Sequence, residues 1–128
     1  MKRDLDLIRE IMLVLEDEME YGKNFTSDKL FEIMQNKTLS LAKLTYHIGL
    51  LVEGNFIRAK ELKTYSDGSI FTINTITSEG QDFLDTIRQK DTWEIVKENA
   101  VKIGGFTLPL IVELGKDYLK KQIGLIGL

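Results

Sequence analysis

Asp82 and Asp85 stand one helical turn apart, a spacing at which two carboxylates can share a proton or hold a divalent cation. A solvated acidic helix face has the same look, and no third ligand is spaced to complete a site. His47, the one histidine, can be drawn as a base beside the hydroxyl of Thr45 or Ser40, but the sequence places no acid to orient its ring. It either bonds locally near the core edge or faces nucleic acid. Cysteine is absent, which removes thiolate metal sites and disulfides, and no glycine loop has the context to cradle a phosphate. Phosphate contact by bases is the chemistry left. Lys37 and Lys43 can supply it from a helix and Arg58, Lys60 and Lys63 from a hairpin, each being equally readable as solubilising charge. No enzymatic activity, cofactor or metal is expected.

The elements that position these residues centre on residues 41–57. Leu41, Leu44, Ile48 and Leu51 stripe one face of a helix, with Thr38 and Ser40 as candidate caps. Gly54-Asn55 suits a left-handed stop, after which Phe56-Ile57 opens a strand. This run resembles the recognition helix and following strand of winged helix-turn-helix domains. The resemblance implies that the helix enters the major groove and that the hairpin lies along the backbone. It further implies that Thr45 and Tyr46 occupy positions that touch DNA. Gly49 falls where many such helices carry arginine or lysine, and Tyr46 alternatively covers the wing.

Upstream, a helix over about Arg3–Met19 carries Leu5, Ile8, Met12, Leu15 and Met19 inward, widened by Leu7, Ile11 and Val14. Its acidic end, Glu16-Asp17-Glu18-Met19-Glu20, is an exposed acidic edge, a repeller of DNA or a contact for a basic partner. A loop at 21–24 follows, then a short helix capped by Thr26 or Ser27 that buries Leu30, Phe31 and Met34. Downstream, Asp67-Gly68 predicts a two-residue type I′ turn. Closing the hairpin there pairs Tyr65 with Ile70, Lys63 with Thr72 and Leu62 with Ile73, and makes Ala59, Leu62, Phe71, Ile73 and Ile76 its apolar contacts.

Thr77 is read as the cap of a helix burying Phe83, Leu84 and Ile87. Asp91-Thr92-Trp93-Glu94 reads as a capping box for a helix with Trp93, Val96 and Ala100, stopping at Gly104-Gly105. Thr107-Leu108-Pro109 starts a last, markedly apolar helix with Leu110, Ile111, Leu114, Tyr118 and Leu119. That surplus apolar surface packs on the first helix or forms a homodimer.

A net charge of −3 is a poor start for a nucleic-acid binder, but its distribution is uneven. Residues 1–20 hold three bases and seven acids, whereas residues 21–76 hold seven bases and five acids. No apolar run approaches the ~20 residues of a membrane span. The charged start passes straight into an amphipathic pattern, so neither a signal peptide nor a membrane association is expected, and a cytoplasmic location is.

Two blocks, Met1-Lys2-Arg3-Asp4-Leu5-Asp6-Leu7-Ile8-Arg9 and residues 76–88 (Ile76-Thr77-Ser78-Glu79-Gly80 through Arg88), with Trp93 and Gly104-Gly105 after them, resemble an uncharacterised family encoded mainly by bacteriophages and prophages. That resemblance implies a winged-helix fold in a phage-related setting and carries over no site. The expected class is mainly α with a small β-hairpin (α+β). Residues 1–89 form a winged helix-turn-helix domain, and residues 90–128 a helical extension that packs or dimerises. The expected function is a non-enzymatic, phage-related DNA-binding regulator of double-stranded DNA using Lys37, Lys43, Thr45, Tyr46, Arg58, Lys60 and Lys63. A protein-interaction module on the same scaffold is the alternative.

Overall fold

A computed structural model describes residues 1–64, 68–103 and 107–125. In chain order the elements are α1 (Leu5–Glu18), β1 (Phe25–Thr26), α2 (Ser27–Met34), α3 (Leu41–Glu53), β2 (Ile57–Lys63), β3 (Ser69–Ile76), α4 (Ser78–Ile87), α5 (Lys90–Ile103) and α6 (Leu108–Leu125). The fold is therefore mainly helical with a small antiparallel sheet, in the order β1-β3-β2. The chain divides into two compact units, Met1–Gln81 and Asp82–Leu128, with the division inside α4.

In the first unit α1 packs on α2 and α3, and α3 packs on β2 and β3. Leu7, Ile8, Ile11, Met12 and Leu15 of α1 are buried, as are Leu44, Ile48 and Leu51 of α3. Helix α1 starts later than expected because Asp4 caps it, accepting the Leu7 amide at 3.1 Å. Thr26 caps α2 by accepting the Lys29 amide, while Ser27 does something else: its buried Oγ accepts the Phe71 amide at 3.1 Å and ties α2 to β3. Ser40 caps α3, and Thr38 instead bonds back to Asn36.

Helix α3 ends in a Schellman turn. The Phe56 amide reaches the Leu51 carbonyl at 2.9 Å and the Asn55 amide reaches Val52 at 3.0 Å. Asn55 carries the left-handed backbone, at φ 63°, whereas Gly54 stays right-handed at φ −77°. Phe56 then leads into β2, and its carbonyl accepts the Thr77 amide where β3 ends. Thr77 caps α4 as expected, its Oγ1 accepting the Gly80 amide at 3.0 Å while donating to the Asn55 carbonyl at 2.6 Å.

The hairpin corrects the expected register. Lys63 pairs with Ser69, Leu62 with Ile70, Glu61 with Phe71 and Ala59 with Ile73. Thr64 closes the loop, with both its amide and its hydroxyl donating to the Gly68 carbonyl at 2.7 Å. Gly68, at φ 80°, follows the loop rather than forming half of a two-residue turn. Tyr65 and Asp67 lie outside the described residues, and Ile70 stands opposite Leu62. The difference of three residues reverses the faces of β2 relative to β3, since side chains alternate. Phe71 and Ile73 keep the inner face, and Leu62, expected among the apolar contacts, is 65% exposed. Asn74 is an extra residue between Thr75, opposite Arg58, and Ile73, opposite Ala59, so β3 bulges there. Strand β1, read as loop and cap in the sequence, pairs Phe25 with Ile73 and Thr26 with Thr72.

In the second unit α5 packs on α6. Trp93, Val96 and Ala100 are buried, with Leu108, Ile111 and Val112. Asp91 lies inside α5 rather than capping it, because the helix begins at Lys90 and the Trp93 amide already reaches the Gln89 carbonyl. The expected stop at Gly104-Gly105 lies outside the described residues. Phe83, Leu84 and Ile87 of α4 are buried as expected.

Candidate functional site

Helix α3 and the hairpin enclose a groove of about 420 Å³. The hydrophobic stripe of α3 turns Leu44, Ile48 and Leu51 into the core, so the opposite face, Ala42, Thr45, Tyr46, Gly49 and Glu53, becomes one wall. Glu61, Gly68, Ser69 and Phe71 of the hairpin make the other. Gly49 leaves the floor open: a Cβ there would stand 3.8 Å from Phe71 Cζ, in ordinary contact. Thr45 is turned back on its own helix, its hydroxyl donating to the Ala42 carbonyl at 3.1 Å. Tyr46 is 39% exposed and stands edge-on to the His47 ring, 5.3 Å between centroids.

Of the seven expected contact residues, the structure brings only Thr45 and Tyr46 into this groove. The charged side chains among its described lining are Glu53 and Glu61, both acidic. Glu61 accepts a hydrogen bond from the Ser69 hydroxyl. Glu53 lies seven residues after Tyr46, two helical turns on, so its place on this face was legible from periodicity. Glu61 needed the hairpin register.

Lys43 does not point at the groove. Its ammonium lies 3.2 Å from the Asp4 carboxylate, on the side where α3 meets the start of α1. Burial pushes the Asp4 carboxyl up, but the Leu7 amide and the Lys43 ammonium outweigh it, and the group titrates below the usual aspartate value. His47 is buried beneath this pair, so of its two readings the local bonding holds and the one facing nucleic acid does not. Its Nε2 lies 2.8 Å from the Asp4 amide, which can only donate, so Nε2 accepts. Nδ1 therefore carries the proton and donates to the Lys43 carbonyl at 2.7 Å. Both ring nitrogens are occupied, and neither by Ser40 or Thr45, so the base–hydroxyl pair is not assembled.

Arg58 lies on the sheet face away from α3. It lines a second groove, of about 540 Å³, with Glu16, Met19 and Glu20 of the α1 end and Asn74 and Thr75 of the bulge. The acidic end of α1 thus faces a base of its own unit. Lys37, in the turn before α3, and Lys60 and Lys63, on β2, are exposed and appear in the lining of neither groove. Asp85 holds Arg88 at 2.8 Å, and no cluster of three metal-ligating side chains occurs among the described residues. No helix among them is long and apolar enough to cross a membrane.

The pattern read from the two sequence blocks has a counterpart among known proteins. A family model described as hypothetical protein (DUF2513) matches residues 2–107. The chain belongs to the DUF2513 family. It is also similar to an uncharacterized protein of Haemophilus influenzae (strain ATCC 51907 / DSM 11121 / KW20 / Rd), at 32% identity over 97 residues that cover 76% of each chain. No solved structure matches.

Proposed function

We propose that this is a non-enzymatic, phage-type winged-helix protein of the cytoplasm, whose α3–hairpin face docks a partner protein. The order α1-β1-α2-α3-β2-β3, with the sheet order β1-β3-β2, supports the winged-helix reading. Fold alone does not choose between partners, so the site must. One observation carries the choice: the outward face of α3 presents Ala42, Thr45, Tyr46 and Gly49 with Glu53 and Glu61 beside them, while its lysine is held by Asp4. A surface that meets phosphates needs net positive charge, because release of condensed counterions drives the association. This surface is neutral to acidic, concave and part apolar. It suits a segment that inserts apolar side chains and offers a lysine or arginine to the glutamates.

Duplex DNA is the second reading, favoured by the exposed Lys37, Lys60 and Lys63 around the same helix and hairpin. A random peptide library displayed against the full chain tests the first. Clones that bind the wild type are expected to be basic and to lose binding to Tyr46→Asp, with the fold checked by circular dichroism. Enrichment that ignores Tyr46→Asp, or no enrichment, contradicts the docking reading.

A further inference from the structure

The outer edge of β2 has no strand beside it among the described residues: the sheet runs β1-β3-β2, and β2 pairs only with β3. Its backbone phase is fixed by the loop, where the Thr64 amide bonds the Gly68 carbonyl. Bonded and non-bonded pairs alternate along an antiparallel ladder, so the amides and carbonyls of Glu61 and Lys63 point away from β3. On the outer sheet face Leu62 is 65% exposed and stands opposite Ile70. Leu62 is a large apolar side chain that the fold of one chain leaves uncovered.

We propose that this edge pairs antiparallel with the β2 edge of a second copy, about a two-fold axis through Leu62. A two-fold perpendicular to the sheet keeps each face on its own side, so only registers that oppose residues of the same face are open. Centring on Lys60 sets Lys60 against Lys60. Centring on Glu61 or Lys63 opposes like charges in the same way, and centring on Ala59 brings Arg58 against Lys60 twice. Centring on Leu62 alone opposes unlike charges: Glu61 meets Lys63 of the second copy, and Lys63 meets its Glu61. Those two pairs are also the ones whose backbone groups point outward and can exchange hydrogen bonds. Lys60 then faces Thr64, and Leu62 packs on Leu62 with Ile70 behind each, an apolar stripe across a six-stranded sheet. Lysines on an edge strand ordinarily discourage pairing, and in this register each has a compatible partner. The ladder is short, so the dimer is weak and concentration-dependent.

The test is sedimentation equilibrium of the full chain from micromolar to millimolar concentration. Wild type is expected to dimerise, and Lys63→Glu to weaken the dimer by about tenfold or more as two attractive pairs become repulsive. Glu61→Lys combined with Lys63→Glu restores it, which a merely misfolded variant cannot do. Because the chain has no cysteine, Leu62→Cys supplies a single thiol. Oxidised glutathione is expected to link two such chains through it, and to leave Lys60→Cys unlinked, since its two copies would stand four residues out of register. A wild type monomeric throughout overturns the proposal. So does a dimer that ignores Lys63→Glu and dissociates on Val101→Asp or Ile123→Asp in α5 and α6. Lys63, Val101 and Ile123 are absent from the lining of the α3 groove, and Glu61, which lines it, changes only in the rescue variant, so the outcomes that overturn the dimer leave the docking reading to its own test.

Discussion

At Gly80 an added Cβ would stand 2.1 Å from the Phe56 carbonyl oxygen and 2.8 Å from Ile76 Cγ2. The carbonyl is backbone and cannot retreat without moving the start of β2, so Gly80→Ala is expected to cost about 3 kcal/mol. Gly49→Ala is the opposite case. Its methyl meets Phe71 at an ordinary distance, and a helix interior gains about 1 kcal/mol on exchanging glycine for alanine. Urea denaturation should move the two midpoints in opposite directions; a shift of the same sign in both would show the packing to be wrong. Thr77 was readable in the sequence as a cap, but the need for glycine at position 80, set by the Phe56 carbonyl, was not, because Phe56 lies far away in sequence.

Asp4 makes a pH prediction. A carboxyl that is more acidic folded than unfolded contributes stability in full above its unfolded value, and that contribution fades as pH falls through the folded value. Burial opposes the lowering, and the Leu7 and Lys43 partners prevail. Wild type should therefore lose stability below about pH 4, where an unperturbed aspartate titrates. Asp4→Asn keeps a cap acceptor and should flatten that part of the profile. An identical slope in both would remove Asp4 from the account.

Elements were readable where periodicity was long and caps were local. Helices α1, α3 and α4 follow their apolar stripes, and Ser40, Thr77 and Asn55 end or start them with side chains close in sequence. Strand β1 was not readable, since two residues carry no period and its partner lies in β3. The β2–β3 register failed for a related reason. The Asp67-Gly68 pair suggested the tightest turn, whereas burial of Phe71 and Ile73 opposite Glu61 and Ala59 decides the pairing. The observed register predicts that Leu62→Thr, at concentrations where the chain is monomeric, changes stability by less than about 0.5 kcal/mol. Ile73→Ala, fully buried, should cost about 3 kcal/mol. Thermal unfolding checks both, and a large loss at Leu62 would restore the slipped register.

Across the whole molecule, the sequence made DNA binding the expected function and a protein-interaction module the alternative, despite a formal charge of −3. Side-chain placement is what the proposal of a protein partner rests on, because net charge per segment does not say where a lysine points. Lys43 is drawn to Asp4, Arg58 lines the second groove together with Glu16 and Glu20, and Glu53 and Glu61 line the α3 groove. Each of these placements depends on residues far apart in sequence except the helical spacing that puts Glu53 below Tyr46. The candidate site was thus half legible: its helix was, and its charge was not.

The most direct measurement is fluorescence anisotropy of a labelled random-sequence duplex titrated with the full chain, from low to physiological salt. A face that docks protein predicts no saturable binding below about 100 µM even at low salt, where non-specific DNA binding is strongest. Micromolar binding that falls steeply with salt and is lost in Lys60→Glu would contradict it and return the α3–hairpin face to DNA.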